Sequence, residues 1–268
     1  MKDNKRNILI TGASDGIGAA LAKRYASPDT RLILLARSGE KLITVAQDCE
    51  KKKSAVLTYS IDVTKTQALQ DLVSEIDAKY PIDLVICNAG VTSIIPKSGE
   101  AESWQAISNV IDTNLYGVLA TLNPLINSLR KRQHGQIAIV SSLAAHYGMA
   151  ISPVYCASKS ALKAYGQALR GWLKADGIGV SVIYPGFVKS SLSDQFHADK
   201  PFIVSPERAA DIIYNGLQKN KASISFPFPL NLGMWALSVL PSPMADWIMG
   251  KLYGINNNEI KSSGAKRN

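Results

Sequence analysis

Short apolar runs rich in β-branched residues recur at Ile8 to Ile10, Leu32 to Leu35, Ala55 to Ile61, Leu84 to Cys87, Ile137 to Val140 and Val180 to Ile183. Unbroken apolarity over so few residues predicts strands buried on both faces. Between them lie longer segments whose apolar positions return at helical spacing: Gly16 to Ala26, Lys41 to Lys51, Thr66 to Lys79, Trp104 to Lys131 and Val154 to Lys174. Glu207 to Gln218, after Ser205-Pro206, reads as one more helix. Alternation of this kind needs crossover connections, so the pattern predicts a doubly wound α/β fold, a parallel sheet with helices on both faces. Ser152-Pro153 supplies an N-cap and first position for the helix from Val154, and Asp176-Gly177 supplies its stop. Its stripe Ala161, Leu162, Tyr165, Ala168, Leu169 and Trp172 must bury against the sheet or another subunit.

The 268 residues, 46% hydrophobic and 19% charged, suit one domain spanning the whole chain. A net charge of +9 raises nucleic acid or an anionic membrane as partners. Five of those charges sit in the tails, with Lys2, Lys5, Arg6, Lys261, Lys266 and Arg267 set against Asp3, and no basic stripe interleaved with aromatics appears, so nucleic-acid binding is not expected. Lys51-Lys52-Lys53 reads as a solvated helix end. Cys49, Cys87 and Cys156 are odd in number and His134, His146 and His197 are scattered, which gives no metal-ligand spacing and fits reduced thiols in a cytoplasmic setting. The N-terminus lacks the apolar stretch of a signal peptide, so export is not expected.

Chemistry concentrates in two places. The turn Thr11-Gly12-Ala13-Ser14-Asp15-Gly16-Ile17-Gly18 follows one strand and opens a helix, the context in which glycines admit a pyrophosphate to a helix N-terminus. Gly12 permits the tight turn, Gly16 lets phosphate oxygens approach, and Gly18 lets helix and strand pack closely. Asp15 gains nothing from an extra phosphate and fits a helix cap. The second strand ends Ala36-Arg37 without the carboxylate that would bond an adenosine ribose, so Arg37 favours NADP(H), with NAD(H) not excluded. Tyr155 and Lys159, four apart on one helix face, set an ammonium beside a phenol and favour its ionised form.

With Thr11-Gly12-x-x-x-Gly16-Ile17-Gly18, Asn88-Ala89-Gly90, Ser142, Tyr155-x-x-x-Lys159 and Pro185-Gly186 in this order, the chain resembles the short-chain dehydrogenase/reductase family over about Asn7 to Leu192. The resemblance implies a Rossmann fold and hydride transfer between a nicotinamide and a small-molecule carbonyl or alcohol, with Ser142, Tyr155, Lys159 and Asn114 as catalytic residues. It further implies cofactor contacts from Gly12, Ser14, Asp15, Gly16, Ile17, Gly18 and Arg37, from Asp62 and Val63 at the adenine, and from Asn88, Ala89 and Gly90. Pro185, Gly186, Val188 and Ser190 are implied at the nicotinamide, Ser190 standing where threonine is usual. Family spacing selects Ser142 over Ser141. The segments Trp104 to Lys131 and Val154 to Lys174 resemble the family's dimerising helices, which implies a homodimer or homotetramer. A catalytically silent NADP(H)-binding sensor and an epimerase or dehydratase remain as alternatives.

Beyond these motifs, residues 193–220 read as a lid, polar and mobile from Asp194 to Val204, and a last core helix. His146 and Tyr147 read as loop residues, the histidine facing solvent. Residues 221–268 form an apolar extension in which Pro241 and Pro243 separate Leu230 to Leu240 from Met244 to Leu252, each too short to span a bilayer. Packing against protein, lining a substrate entrance and peripheral contact with a membrane interface all fit this segment, and an apolar carbonyl substrate extends the second.

Overall fold

The computed structural model describes residues 5–96, 100–196 and 200–253. Seven strands form one parallel sheet: β1 (Arg6–Thr11), β2 (Thr30–Ala36), β3 (Ala55–Ser60), β4 (Leu84–Cys87), β5 (Gln136–Val140), β6 (Gly179–Pro185) and β7 (Ser223–Phe226), in spatial order β3-β2-β1-β4-β5-β6-β7. The predicted apolar runs are its central strands; β4 matches its run, and β1, β2, β5 and β6 extend by a residue or two past theirs because ladder bonds, unlike burial, continue past the apolar stretch. Two strand expectations are corrected. β3 is an edge strand and mostly half-buried, so it is not buried on both faces. β7 was not foreseen: Ser223-Ile224-Ser225-Phe226 is short and alternating, and only its parallel pairing with β6 makes it a strand.

The connecting helices are α1 (Gly16–Tyr25), α2 (Gly39–Glu50), α3 (Thr66–Lys79), α4 (Trp104–Ile111), α5 (Gly117–Arg132), α6 (Pro153–Leu173), α7 (Ser191–Asp194) and α8 (Pro206–Gln218). One apolar core fills the face covered by α1, α2 and α8, and a second the face covered by α3, α5 and α6. The segment expected as one helix from Trp104 to Lys131 is instead α4 and α5 joined by a π-helical turn, Asp112–Tyr116. There Gly117 lets the helix approach Val63, since a Cβ on it would lie 2.9 Å from Val63 Cγ2. Ser152 does occupy the N-cap of α6, yet its hydroxyl donates to Ser93 O (2.6 Å) instead of capping. Only two of the six positions of the predicted α6 stripe are buried: Leu162 and Leu169 pack on the sheet, Ala161 and Tyr165 are half-buried, and Ala168 and Trp172 are exposed.

The apolar extension folds as α9 (Leu230–Leu237) and α10 (Ser242–Tyr253), split as expected at Pro241. Met234 and Leu237 of α9 and Ala245 and Met249 of α10 join Leu143, Met149 and Phe196 in a third apolar cluster beside Tyr155. None of the described helices is long and apolar enough to cross a membrane.

Candidate active site

Strand order reverses between β1 and β4, and the connections leaving their C-terminal ends diverge to opposite faces of the sheet. The crevice so formed is a cavity of about 400 Å³ running from Arg37, at the end of β2, past the glycine turn to Ser142, Tyr155 and Met234. Every residue that the sequence reading assigned to cofactor or catalysis, except Gly18 and Asn114, lines it.

The glycine turn has no space for side chains. Gly12 takes φ +66°, and a Cβ there would lie 2.8 Å from Ala89 Cα. A Cβ on Gly18 would lie 2.2 Å from Gly12 O. Thr11 Oγ1 accepts from the amides of Asn88 (3.0 Å) and Ala89 (3.2 Å), while Asn88 Nδ2 donates to Thr11 O (3.1 Å) and Gly12 O (3.0 Å). The β1 and β4 ends are thus stapled together. The Thr11 role was missed in the sequence, where a threonine ending a strand gives no sign of its partner seventy-odd residues away.

Asp15 caps α1, accepting from Gly16 N (2.7 Å), and its other oxygen accepts from Ser191 Oγ (2.6 Å) and Ser191 N (3.2 Å). Partial burial raises its carboxyl, but the bonds from Ser191 and Gly16 outweigh this and hold it below the ordinary carboxylate range. Ser190 caps α7 through a reciprocal pair with Ser193 (3.3 and 3.1 Å). Gly186 N donates to Phe226 O (2.7 Å), which ties the Pro185-Gly186 bend to β7. At the opposite end Arg37 is exposed at the cavity rim near Asp62, whose Oδ1 accepts from Thr64 N (2.9 Å), and Val63. These residues fit a dinucleotide: a side-chain-free turn before a helix N-terminus lies between a guanidinium at one end and a buried amine and phenol at the other.

Ser142 leaves β5, accepts from Ala144 N (3.1 Å) and lines the cavity with Tyr155, on whose phenol its hydroxyl acts to lower the pKa. Ser141 faces the other way, its hydroxyl donating to Lys159 O (2.8 Å). Lys159 Nζ lies 5.7 Å from the Tyr155 ring centroid and donates to Val140 O (3.0 Å). Asn114 is fully buried in the π-helical turn, where Oδ1 accepts from Val91 N (2.8 Å) and Nδ2 donates to Val91 O and Ser158 Oγ (both 3.0 Å). It reaches the site from behind Gly90: a Cβ on that glycine would sit 3.3 Å from Asn114 Oδ1 and 3.4 Å from Lys159 Nζ.

The expectation of an acidified phenol is corrected for the protein alone. Burial pushes Tyr155 up to about 12, with the Ser142 hydroxyl opposing it, and burial pushes Lys159 down to about 8. Both shifts have one cause, the removal of two polar groups from water into an apolar wall. Phe196 meets Tyr155 edge-on at 6.2 Å and Phe187 at 5.8 Å, and Met149, Leu230 and Met234 complete this half of the cavity.

Of the segment expected as a lid, residues 197–199, which include His197, lie outside the described set; beside them Phe196 is buried, and Val204 bridges to Val188 with its amide donating to Phe187 O (2.9 Å). One further expectation changes. His146 does not face solvent; half-buried, it packs on Tyr184 at 4.8 Å with Nδ1 3.4 Å from Lys163 Nζ. Cys49, Cys87 and Cys156 are buried free thiols, and no group of residues able to hold a metal occurs among the described residues.

A doubly wound sheet with a glycine turn at its switch point and a serine and a tyrosine beside a buried lysine in one crevice defines a dinucleotide-dependent oxidoreductase. The family model for short chain dehydrogenases matches residues 6–201, and the chain belongs to that family. An uncharacterized oxidoreductase of Myxococcus xanthus is 33% identical over 242 residues, 90% of this chain and 95% of the relative. A 3-dehydrosphinganine reductase of Arabidopsis thaliana is 31% identical over 83% of this chain and 70% of its own length. Among solved structures, a short-chain dehydrogenase from Sphingobium yanoikuyae in complex with NADPH superposes with a TM-score of 0.77 at 22% identity, covering 91% of this chain and 95% of that one. A short-chain dehydrogenase of Mycobacterium paratuberculosis bound to NAD gives 0.72 at 21% identity, covering 86% and 99%.

Proposed function

We propose that this protein is an NADP(H)-dependent reductase of apolar carbonyl compounds. The observation that carries the reading is the phenol of Tyr155, lining the crevice with Ser142 and set against Phe196 at the point where the polar crevice becomes an apolar slot. A greasy carbonyl fills that slot with its oxygen at the two hydroxyls. The bound nicotinamide supplies the hydride. Ser142 donates to the oxygen as negative charge develops there, and Tyr155 delivers its proton to the same atom. A phenol held near about 12 is a ready donor only when the oxygen becomes a strong base, so burial keeps the proton in place until hydride arrives. Lys159, with its ammonium kept from water, carries the positive charge that then steadies the phenolate and binds the nicotinamide ribose. Asn114 positions the loop after β4 and, through Ser158, the helix that carries both groups.

Arg37, with no carboxylate at Ala36, supports NADPH over NADH. The Arabidopsis thaliana relative is named for reducing 3-dehydrosphinganine, and a ketoacyl reductase of Nostoc and a fatty acyl-CoA reductase of Acinetobacter baylyi are further relatives. Exposed Trp104, Tyr116 and Trp172 on the α4 to α6 segments support a homodimer or homotetramer through those helices. Peripheral membrane contact through α9 and α10 belongs to the same reading and is developed below. Following NADPH oxidation with aliphatic ketones of increasing chain length tests the proposal: kcat/KM rises with chain length, NADH is the poorer donor, and Tyr155→Phe loses turnover while binding NADPH. Equal use of both cofactors, or substantial residual kcat in that variant, overturns it.

A further inference from the structure

We propose that the outward face of α9 and α10, with the cationic groove beside it, docks this protein on an anionic lipid surface. The inference rests on the reading of the slot as a site for apolar carbonyls, and it assigns the phase from which they arrive.

Both helices are apolar on two faces. On α9, Met234 and Leu237 turn into the protein, while Leu232, Trp235 and, just beyond its end, Val239 fall at i, i+3 and i+7 on the opposite side and are 53 to 65% exposed. On α10, Ala245 and Met249 turn inward, while Met244 and Trp247 are 54% and 63% exposed and Lys251 lies over the Trp247 ring at 4.2 Å. An apolar stripe left exposed in this way is at rest only when something covers it. Tryptophan flanked by lysine suits a headgroup boundary, where the ring stays in apolar surroundings and its N–H and the ammonium reach water or phosphate.

Charge selects lipid over a second copy as the occupant. Trp235 is shared between the apolar stripe and a groove of about 520 Å³ lined by Lys163, Arg170 and Lys174, one face of α6 at i, i+7 and i+11. No acidic side chain among the described residues lines that groove. Arg170 spends its donors on Val180 O and on Asn220, and Lys163 on His146, so no carboxylate neutralises either in the groove. The acid of α10, Asp246, is turned back to Tyr147 OH (2.6 Å). Uncompensated cations bordering an apolar stripe match phosphate headgroups over acyl chains, whereas two copies apposed through this face would bring like charges together. The inner side of α9 carries Leu230 and Met234, which line the catalytic slot. One helix therefore separates the lipid from Tyr155, and an apolar substrate passes along it without entering water.

The test is sedimentation of the full chain with vesicles of phosphatidylcholine alone or mixed with phosphatidylglycerol, at low and high salt. Binding is expected only to the anionic vesicles and is expected to weaken in high salt. Lys163→Gln with Lys174→Gln should weaken it about 30-fold, from about 1 kcal/mol per cation at the surface. Trp235→Ser with Trp247→Ser should weaken it by about tenfold or more, and brominated lipid should quench these tryptophans but not Trp104 or Trp172. Turnover of a water-soluble ketone should be unchanged in both pairs. Loss of vesicle binding with turnover intact supports docking independently of the chemistry, and Tyr155→Phe should bind vesicles normally. No binding to anionic vesicles, wild-type binding by the tryptophan pair, or dissociation of an oligomer by that pair overturns the proposal, the last by assigning the face to a second copy.

Discussion

Adjacent serines with opposite orientations provide the sharpest check on the proposed chemistry. Ser142 faces the cavity with Tyr155, whereas Ser141 donates to Lys159 O at 2.8 Å from the far side of the same strand end. Removing the Ser142 hydroxyl takes away a donor aimed where alkoxide charge develops, an interaction worth about 3 to 4 kcal/mol in comparable sites, so Ser142→Ala should lower kcat about 100- to 1,000-fold. It also removes the bond from Ala144 N (3.1 Å) that caps a short turn. That loss costs about 1 kcal/mol and should lower Tm by only about 2 to 4 °C. Ser141→Ala should behave in the reverse sense: a buried hydrogen bond is lost, for about 1 kcal/mol of stability, with kcat within about threefold of wild type. The assay is NADPH consumption at saturating ketone, with thermal unfolding of both variants alongside. If Ser142→Ala keeps a third or more of its kcat, or Ser141→Ala loses activity while folded, the assignment of the donor is wrong.

Lys159→Met should abolish turnover yet stabilise the cofactor-free protein. Burial lowers the amine from 10.5 to about 8, equivalent to about 3 kcal/mol against the charged form. By linkage this penalty is fully present below about pH 8 and is relieved as pH rises toward 10.5, so the gain in Tm should be largest near neutrality and shrink above it; a lower Tm at pH 7 refutes the account. Gly18→Ala should weaken NADPH binding by at least about tenfold, because the added carbon meets Gly12 O at 2.2 Å and must displace the turn, and fluorescence titration checks this. Ser191→Ala removes the 2.6 Å bond to Asp15 that joins the glycine turn to α7, and should raise the NADPH off-rate by several-fold in stopped flow with kcat of the chemical step preserved. Arg37→Glu should reverse cofactor choice, lowering the NADPH-to-NADH ratio of kcat/KM by about 100-fold or more, and an unchanged ratio removes Arg37 from recognition.

The sequence by itself determined the layers of this protein and the identity of its reactive groups. Apolar runs at Ile8, Leu32, Leu84, Ile137 and Val180 could only be buried strands, and the helical stripes between them could only be crossovers, because each pattern has one periodicity that hides its apolar atoms. Tyr155 and Lys159 were legible as a pair because a helix fixes neighbours four apart locally. What depends on contacts distant along the chain was decided by the tertiary structure. β7 exists only through pairing with β6, β3 is only half-buried because nothing pairs beyond it, and the helix from Trp104 breaks where Asn114 bonds the loop at Val91. The proton affinity of Tyr155 likewise belongs to the fold: the phenol is set by the desolvation that Phe196 and its neighbours impose, a property of surroundings assembled from β6, α6 and α9, which no local spacing encodes.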